Sequence, residues 1–151
     1  MSAPRMQPHD PHYAQRTRES FARQPAMAML GVTVESVVAG HVVLAMAHRA
    51  DLTQQHGFVH GGVVGTIADS AAGYAAMTVV PASASVLTVE YKMNLLAPAD
   101  GEKLIARGQV VRPGRTLIVT KAEVFAVKDG KEDVCALMQQ TIMVMHGKVE
   151  K

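Results

Sequence analysis

The sequence contains no tryptophan, only three phenylalanines and three tyrosines, and a single cysteine in 151 residues. One thiol cannot close an internal disulfide, so a disulfide-stapled scaffold is excluded and a reducing compartment is the expectation. With so few rings, a core must be filled by aliphatic side chains and by ten methionines, whose flexible thioethers give a pocket an adaptable wall. An excess of one charge sign is also missing. The net charge is +2, and four of the fifteen basic residues but only two of the thirteen acidic ones fall in residues 1–25, leaving eleven of each beyond. No basic stripe with interleaved aromatics exists, which argues against a nucleic-acid partner and makes the N-terminal arginines a solvated segment. The first twenty residues lack the apolar run of a signal peptide, and the cytoplasm is the expected location. Only Gly61 to Val80 is apolar over a membrane-spanning length, yet it holds Asp69 near its middle, four glycines and no basic flank. It reads as a buried helix, with no membrane involved.

What is present suits one domain: 48% hydrophobic and 19% charged residues support a core of ordinary size. Residues 1–25 form an N-terminal extension, with residues 1–11 expected to be disordered. Asp10-Pro11 offers an N-cap and a first-turn proline for a short helix to about Gln24, closed by Pro25. Residues 26–151 then read as a single domain. Two β segments, "LGVTVESV" and "HVVLAMA", flank Ala39-Gly40 as a hairpin, and a polar loop leads to the glycine-rich helix. After Pro81, Leu87, Val89, Tyr91, Met93 and Leu95 alternate with Thr88, Glu90, Lys92 and Asn94, which predicts a strand with one buried face. "KLIARGQVVR", "TLIVTKAEVFAV" and "VCALMQQTIMVM" continue the pattern through turns at Pro113-Gly114 and "KDGK". One long helix and about six strands joined by tight turns predict an α+β fold, an antiparallel sheet packed on the helix. Gly61, Gly65, Ala68, Ala72 and Ala76 give that helix a face with little side-chain volume, around which a sheet can curl.

The stretch "QQHGFVHGGVVGTIAD", Gln54 to Asp69, carries the chemistry. His60-Gly61-Gly62 stands where the helix begins, so the Gly61 and Gly62 amides lack partners in their own helix and sit at its positive end. They suit a developing oxyanion, although glycines there also simply permit a tight entry. Asp69 lies mid-helix, where an ionised carboxylate must be at an exposed edge, paired with a base, or functional. Thr66 and Gly73 on its stripe leave space and a hydroxyl beside it. From His60 to Asp69 the helix rises about 13 Å and turns about half a revolution. One chain therefore cannot aim its helix start and Asp69 at the same atom, whereas a twofold pair with antiparallel helices can. Other chemistries fit less well. His56 and His60 lack the glutamate of HExxH and a third ligand, the glycines lack the Lys-Ser/Thr of a phosphate loop, and Ser70 and Ser85 lack G-x-S-x-G. Cys135 lies among strand hydrophobes, and no metal or other cofactor is implied.

From about Met27 to Met145, through "HGFVHGG", the "AD" of Asp69, "SVLTVEYKMNLLAPADG" and "VVRPGRTLIV", the sequence resembles the hotdog-fold thioesterases of the phenylacetic-acid-degradation (PaaI-like) type. The resemblance implies a sheet wrapped around one long helix, homodimers or homotetramers, and hydrolysis of acyl-coenzyme A. It implies Asp69 as general base or nucleophile, Gly61 as the amide polarising the thioester carbonyl, and His60, with Gly62, ordering the substrate-binding loop. Where many PaaI-like members carry Asn this chain has Gln54, similar to the 4-hydroxybenzoyl-CoA thioesterases, so Gln54 is expected to orient either the carbonyl or the water. Thr88 matches a Ser/Thr that helps place water, with surface and cleft positions both open. Arg112 and Arg115 are either contacts for coenzyme A phosphates or a solvated hairpin. A non-catalytic acyl-CoA binding module and a hotdog hydratase or dehydratase are the alternative functions.

Overall fold

The structure is a computed structural model that describes residues 6–150. The chain opens with two short helices, α1 (Tyr13–Ala22) and α2 (Pro25–Leu30), followed by the hairpin β1 (Val32–Val38) and β2 (His41–Ala47). A 3-10 turn at Ala50–Leu52 leads to the long helix α3 (Gly61–Met77). Four long strands complete the chain: β3 (Ala84–Leu95), β4 (Lys103–Pro113), β5 (Leu117–Lys128) and β6 (Lys131–His146). The described strands form one antiparallel sheet in the order β1-β2-β4-β5-β6-β3. Helix α3 carries the chain from β2 across β4, β5 and β6 to the far edge, and the sheet wraps it so that every strand touches it.

The wrap needs a small-residue contact. Ala68, Ala71, Ala72, Ala75 and Ala76 are fully buried on α3. Gly108 on β4 completes the approach: a Cβ there would stand 2.1 Å from the Ala71 carbonyl oxygen and 2.5 Å from the Ala72 nitrogen. The strand backbone thus passes where no side chain fits. Around this contact Leu44, Met46, Ile67, Leu104, Ile118 and Ile142 fill the core. The β5–β6 turn is set by Asp129 and Gly130, both at positive φ, as a two-residue hairpin requires.

The N-terminal segment is more structured than its composition suggests. Residues 6–11 are placed against the body, with Met6 packed on the core and Asp10 buried; residues 1–5 of the expected disordered stretch, including Arg5, lie outside the described residues. Asp10 Oδ1 accepts from the His12 N–H at 2.9 Å, so it supports the start of α1 from two positions before the N-cap, His12. Pro25 ends nothing: as the first residue of α2 it begins a second helix, which Gly31 stops in the left-handed conformation at φ 70°. Strand β1 accordingly starts at Val32 and not at Leu30.

Arg16 departs most from the solvated reading. It pairs with Asp10 at 3.1 Å, and its guanidinium donates to the carbonyls of Met77 (3.1 Å), Val80 (2.9 Å) and Pro81 (2.9 Å). The Met77 oxygen belongs to the last residue of α3, where backbone acceptors lack partners and a cation is favoured, and the Val80 and Pro81 oxygens lie in the turn that follows. The N-terminal extension thereby caps the central helix.

Candidate active site

Helix α3 begins at its first glycine because His60 supplies the cap. With φ −58° and ψ 136°, His60 turns the chain, and its Nδ1 accepts the Gly62 N–H at 2.9 Å. The Val63 and Val64 amides are taken by the His60 carbonyl. The Gly61 N–H has no partner among the described residues and opens onto a cleft of about 450 Å³ lined by Gln54, Phe58, Val59, Val64, Leu95 and neighbouring loop residues. The Gly62 amide, by contrast with that of Gly61, is committed to His60. Gln54 shares the cleft: its Oε1 accepts the His56 amide, which pins the side chain and leaves the Nε2 donor free among the described residues.

Asp69 stands two turns further along α3 and opens onto a different cleft of about 250 Å³, with Ser70, Gly73, Tyr74, Val86 and Thr88 among its walls. It is half-buried and has no cationic partner among the described residues, so it is held by neutral donors. Thr88 Oγ1 donates to Asp69 Oδ1 at 2.8 Å, and the amide of Gln140 donates to the same oxygen. The Asp69 Oδ2 atom carries no hydrogen bond among the described residues. A carboxylate with one oxygen anchored and the other free can accept a proton from water or attack an electrophile.

Thr88 reaches this position through a β-bulge. Thr88 pairs with Ile142 and Glu90 with Thr141, so Val89 is an extra residue and the alternation of β3 reverses across it. Val86 and Thr88 on one side of the bulge face α3, and so do Tyr91 and Met93 on the other, both within 4 Å of a Cβ placed on Gly65. The single buried face expected from period-two alternation is therefore broken. Leu87, Val89, Tyr91 and Leu95 are all exposed, Leu87 and Leu95 at 58% each, along the free edge of the sheet.

Two contributors to this region escaped the sequence reading. Gln140 is 1% exposed, one strand in from Thr88, and strand alternation with Met138 and Ile142 was the available signal for its inward direction. Tyr74 forms part of the Asp69 cleft, stacks edge-on against Phe21 of α1 with centroids 5.7 Å apart, and bonds to the Ser20 hydroxyl at 3.2 Å. Burial pushes its phenol above the ordinary value, partly offset by that hydrogen bond. Burial likewise raises the Cys135 thiol, which disfavours the thiolate a cysteine nucleophile needs. His56 is exposed, and no cluster of three or more His, Cys, Asp or Glu side chains able to hold a metal ion occurs among the described residues. Arg112 and Arg115 are exposed on the β4–β5 hairpin. No described helix is long and apolar enough to cross a membrane.

Residues 56–132, which include His60, Gly61 and Asp69, match the model of the thioesterase superfamily. The chain is also 35% identical over 108 residues to a Halobacterium salinarum protein with a provisional esterase name, covering 68% of this chain and 71% of that one. The chain belongs to the thioesterase superfamily. Among solved structures, this superfamily member is similar to a thioesterase family protein from Silicibacter pomeroyi, with 50% identity, a TM-score of 0.88, and coverage of 89% of this chain and 99% of that one. It shares the fold of the E. coli PaaI protein of the phenylacetic acid degradation operon at 22% identity and TM-score 0.80, covering 92% and 98% of the two chains. The helix wrapped by the six-stranded sheet is the hotdog fold.

Proposed function

We propose that this superfamily member is an acyl-CoA thioesterase that works as a homodimer, each site taking Asp69 and Thr88 from one protomer and Gly61 and Gln54 from the other. The carrying observation is the division of these residues between two clefts of one protomer, with the unpartnered amide in one and the free carboxylate oxygen in the other. A twofold axis near Gly65, midway between Gly61 and Asp69, brings the unlike clefts together twice. The free β3 edge with its exposed apolar side chains supports such a pairing, because a long uncovered edge strand is a ready template for a second copy. Leu87, Met143 and Leu117 lie side by side across β3, β6 and β5, an exposed apolar row available to a dimer of dimers.

In this reading the thioester carbonyl oxygen accepts the Gly61 N–H at the helix start, with Gln54 Nε2 as a second donor on the carbonyl side. Asp69 Oδ2 either removes a proton from the attacking water or adds to the carbonyl carbon itself. The carbonyl π bond opens to an oxyanion that the amide stabilises, and its collapse breaks the C–S bond and expels the coenzyme A thiolate. On the general-base route the proton held by Asp69 returns to the thiolate; on the nucleophilic route water hydrolyses the resulting anhydride. A thiolate leaves readily, so the chemistry asks for a base and charge stabilisation without a metal. The Met- and Ala-rich interior suits a small aryl or medium-chain acyl group, and the one buried reduced thiol suits a cytoplasmic location. A panel of acyl-CoA substrates followed by free-thiol release tests the proposal. Wild type turns over at least one of them and Asp69→Asn loses about 10²–10⁴-fold in kcat. A fully active Asp69→Asn enzyme removes the mechanism, and saturable binding without turnover by wild type makes the protein a binding module.

A further inference from the structure

We infer that Gln140 is a positioning residue that selects which oxygen of Asp69 faces the substrate; this rests on the proposed role of Asp69. Gln140 sits on β6, 1% exposed, beneath the helix face that carries Asp69. A buried primary amide is costly unless its groups are satisfied, and here each side of the amide has a partner. Oε1 accepts the hydroxyl of Thr120, itself fully buried on β5, at 3.2 Å. Nε2 donates to Asp69 Oδ1 and, at 2.8 Å, to Thr88 Oγ1, while Thr88 passes its own proton on to the same carboxylate oxygen at 2.8 Å. The reverse orientation of the amide would set its oxygen against an acceptor-only carboxylate, so the direction of the chain is fixed.

The consequence is geometric. Asp69 projects from a helix, and its carboxylate is free to rotate about χ2 unless something outside the helix holds it. Thr88 alone is a single tether on an edge strand whose register is broken at the next residue. Gln140 is tied into the interior of the sheet through Thr120, and it engages Asp69 and Thr88 together. It locks Oδ1 inward and presents Oδ2 to the cleft. The other titratable groups of that cleft are Tyr74 and Glu150, and Glu150 is engaged by Arg23 at 2.8 Å.

Two substitutions test this beside wild type and Asp69→Asn. Gln140→Met keeps length and burial but removes both donors, and kcat is expected to fall about 10–100-fold, as for a reacting group displaced by about an ångström, with KM nearly unchanged. Gln140→Glu sets a second carboxylate on Asp69; the pair then shares a proton, and the acidic limb of the kcat–pH profile moves to higher pH. A purely structural glutamine gives a lower melting temperature with kcat per folded molecule and the acidic limb both unmoved, and that pattern overturns the inference. Should Gln140→Met fail to fold, Thr120→Val, which frees Oε1 while preserving shape, is expected to lower kcat without raising KM, and an unchanged kcat there also overturns it. If Asp69→Asn retains full activity, the mechanism fails first; if Asp69→Asn is inactive while all Gln140 and Thr120 variants match wild type, only the positioning role fails.

Discussion

Replacing Gly61 with proline deletes one backbone N–H at the start of α3, which makes it the sharpest probe of the proposed oxyanion donor. Proline is favoured at the first position of a helix, where its fixed φ is already helical and its missing N–H breaks no intrahelical bond. The preceding residue must be extended, and His60 already is, at φ −58° and ψ 136°. The new Cβ would meet Leu95 Cδ1 at 2.8 Å, but that atom ends a flexible, 58% exposed side chain that can swing aside. Gly61→Ala carries the same Cβ and keeps the amide, so it isolates the N–H. Loss of an oxyanion donor is worth about 10²–10³ in kcat, or about 2.7–4 kcal/mol. Gly61→Pro should show that loss in thiol-release assays, with a melting temperature close to that of Gly61→Ala. Gly61→Ala itself should stay within roughly threefold of wild type, under about 0.7 kcal/mol. A folded Gly61→Pro enzyme as fast as Gly61→Ala would refute the assignment of the amide.

Gly108→Ala presses a methyl group into the α3 backbone at 2.1 Å and should destabilise by about 1–3 kcal/mol or more, lowering Tm by several degrees in calorimetry; an unchanged Tm would mean that helix and sheet part easily. The phenol of Tyr74 is raised by burial, so the unfolded chain ionises first. Its contribution to stability is intact below about pH 10 and is lost as pH climbs through the raised folded value, at up to roughly 1.4 kcal/mol per pH unit. Urea midpoints measured across that range should fall less steeply in Tyr74→Phe than in wild type, and parallel slopes would contradict this.

Much of the fold is written locally. The β1–β2 hairpin, the start of α3 at His60 and the β5–β6 turn each rest on residues whose backbone preferences act within a few positions, and these are legible in the sequence. The face of β3 was not, because a bulge reverses alternation without any marker in composition; Thr88 shares the parity of Glu90, Lys92 and Asn94, and surface and cleft positions both stay open until the extra position at Val89 is known. Arg16 was obscured by its neighbours, since a cation that caps a helix some sixty residues away looks the same in sequence as one in water. Gly108 likewise owes its place to the α3 backbone, a partner remote in the chain. At the candidate site the motif showed Gly61, Gln54 and Asp69, and the helical rise already separated them. Gln140 was hidden because its partners lie on three other elements.

The dimeric site is tested most directly by mixing two defective chains. Asp69→Asn and Gly61→Pro are each expected to give nearly inactive homodimers. Co-expressed in equal amounts they form heterodimers in which one site has lost both groups and the other has an intact carboxylate from one chain and an intact amide from its partner. Half of the dimers are then mixed, and thiol release should recover to about one quarter of the wild-type rate per chain. A mixture that stays as inactive as its components, with heterodimers verified by differential tagging, would contradict a site shared between two protomers.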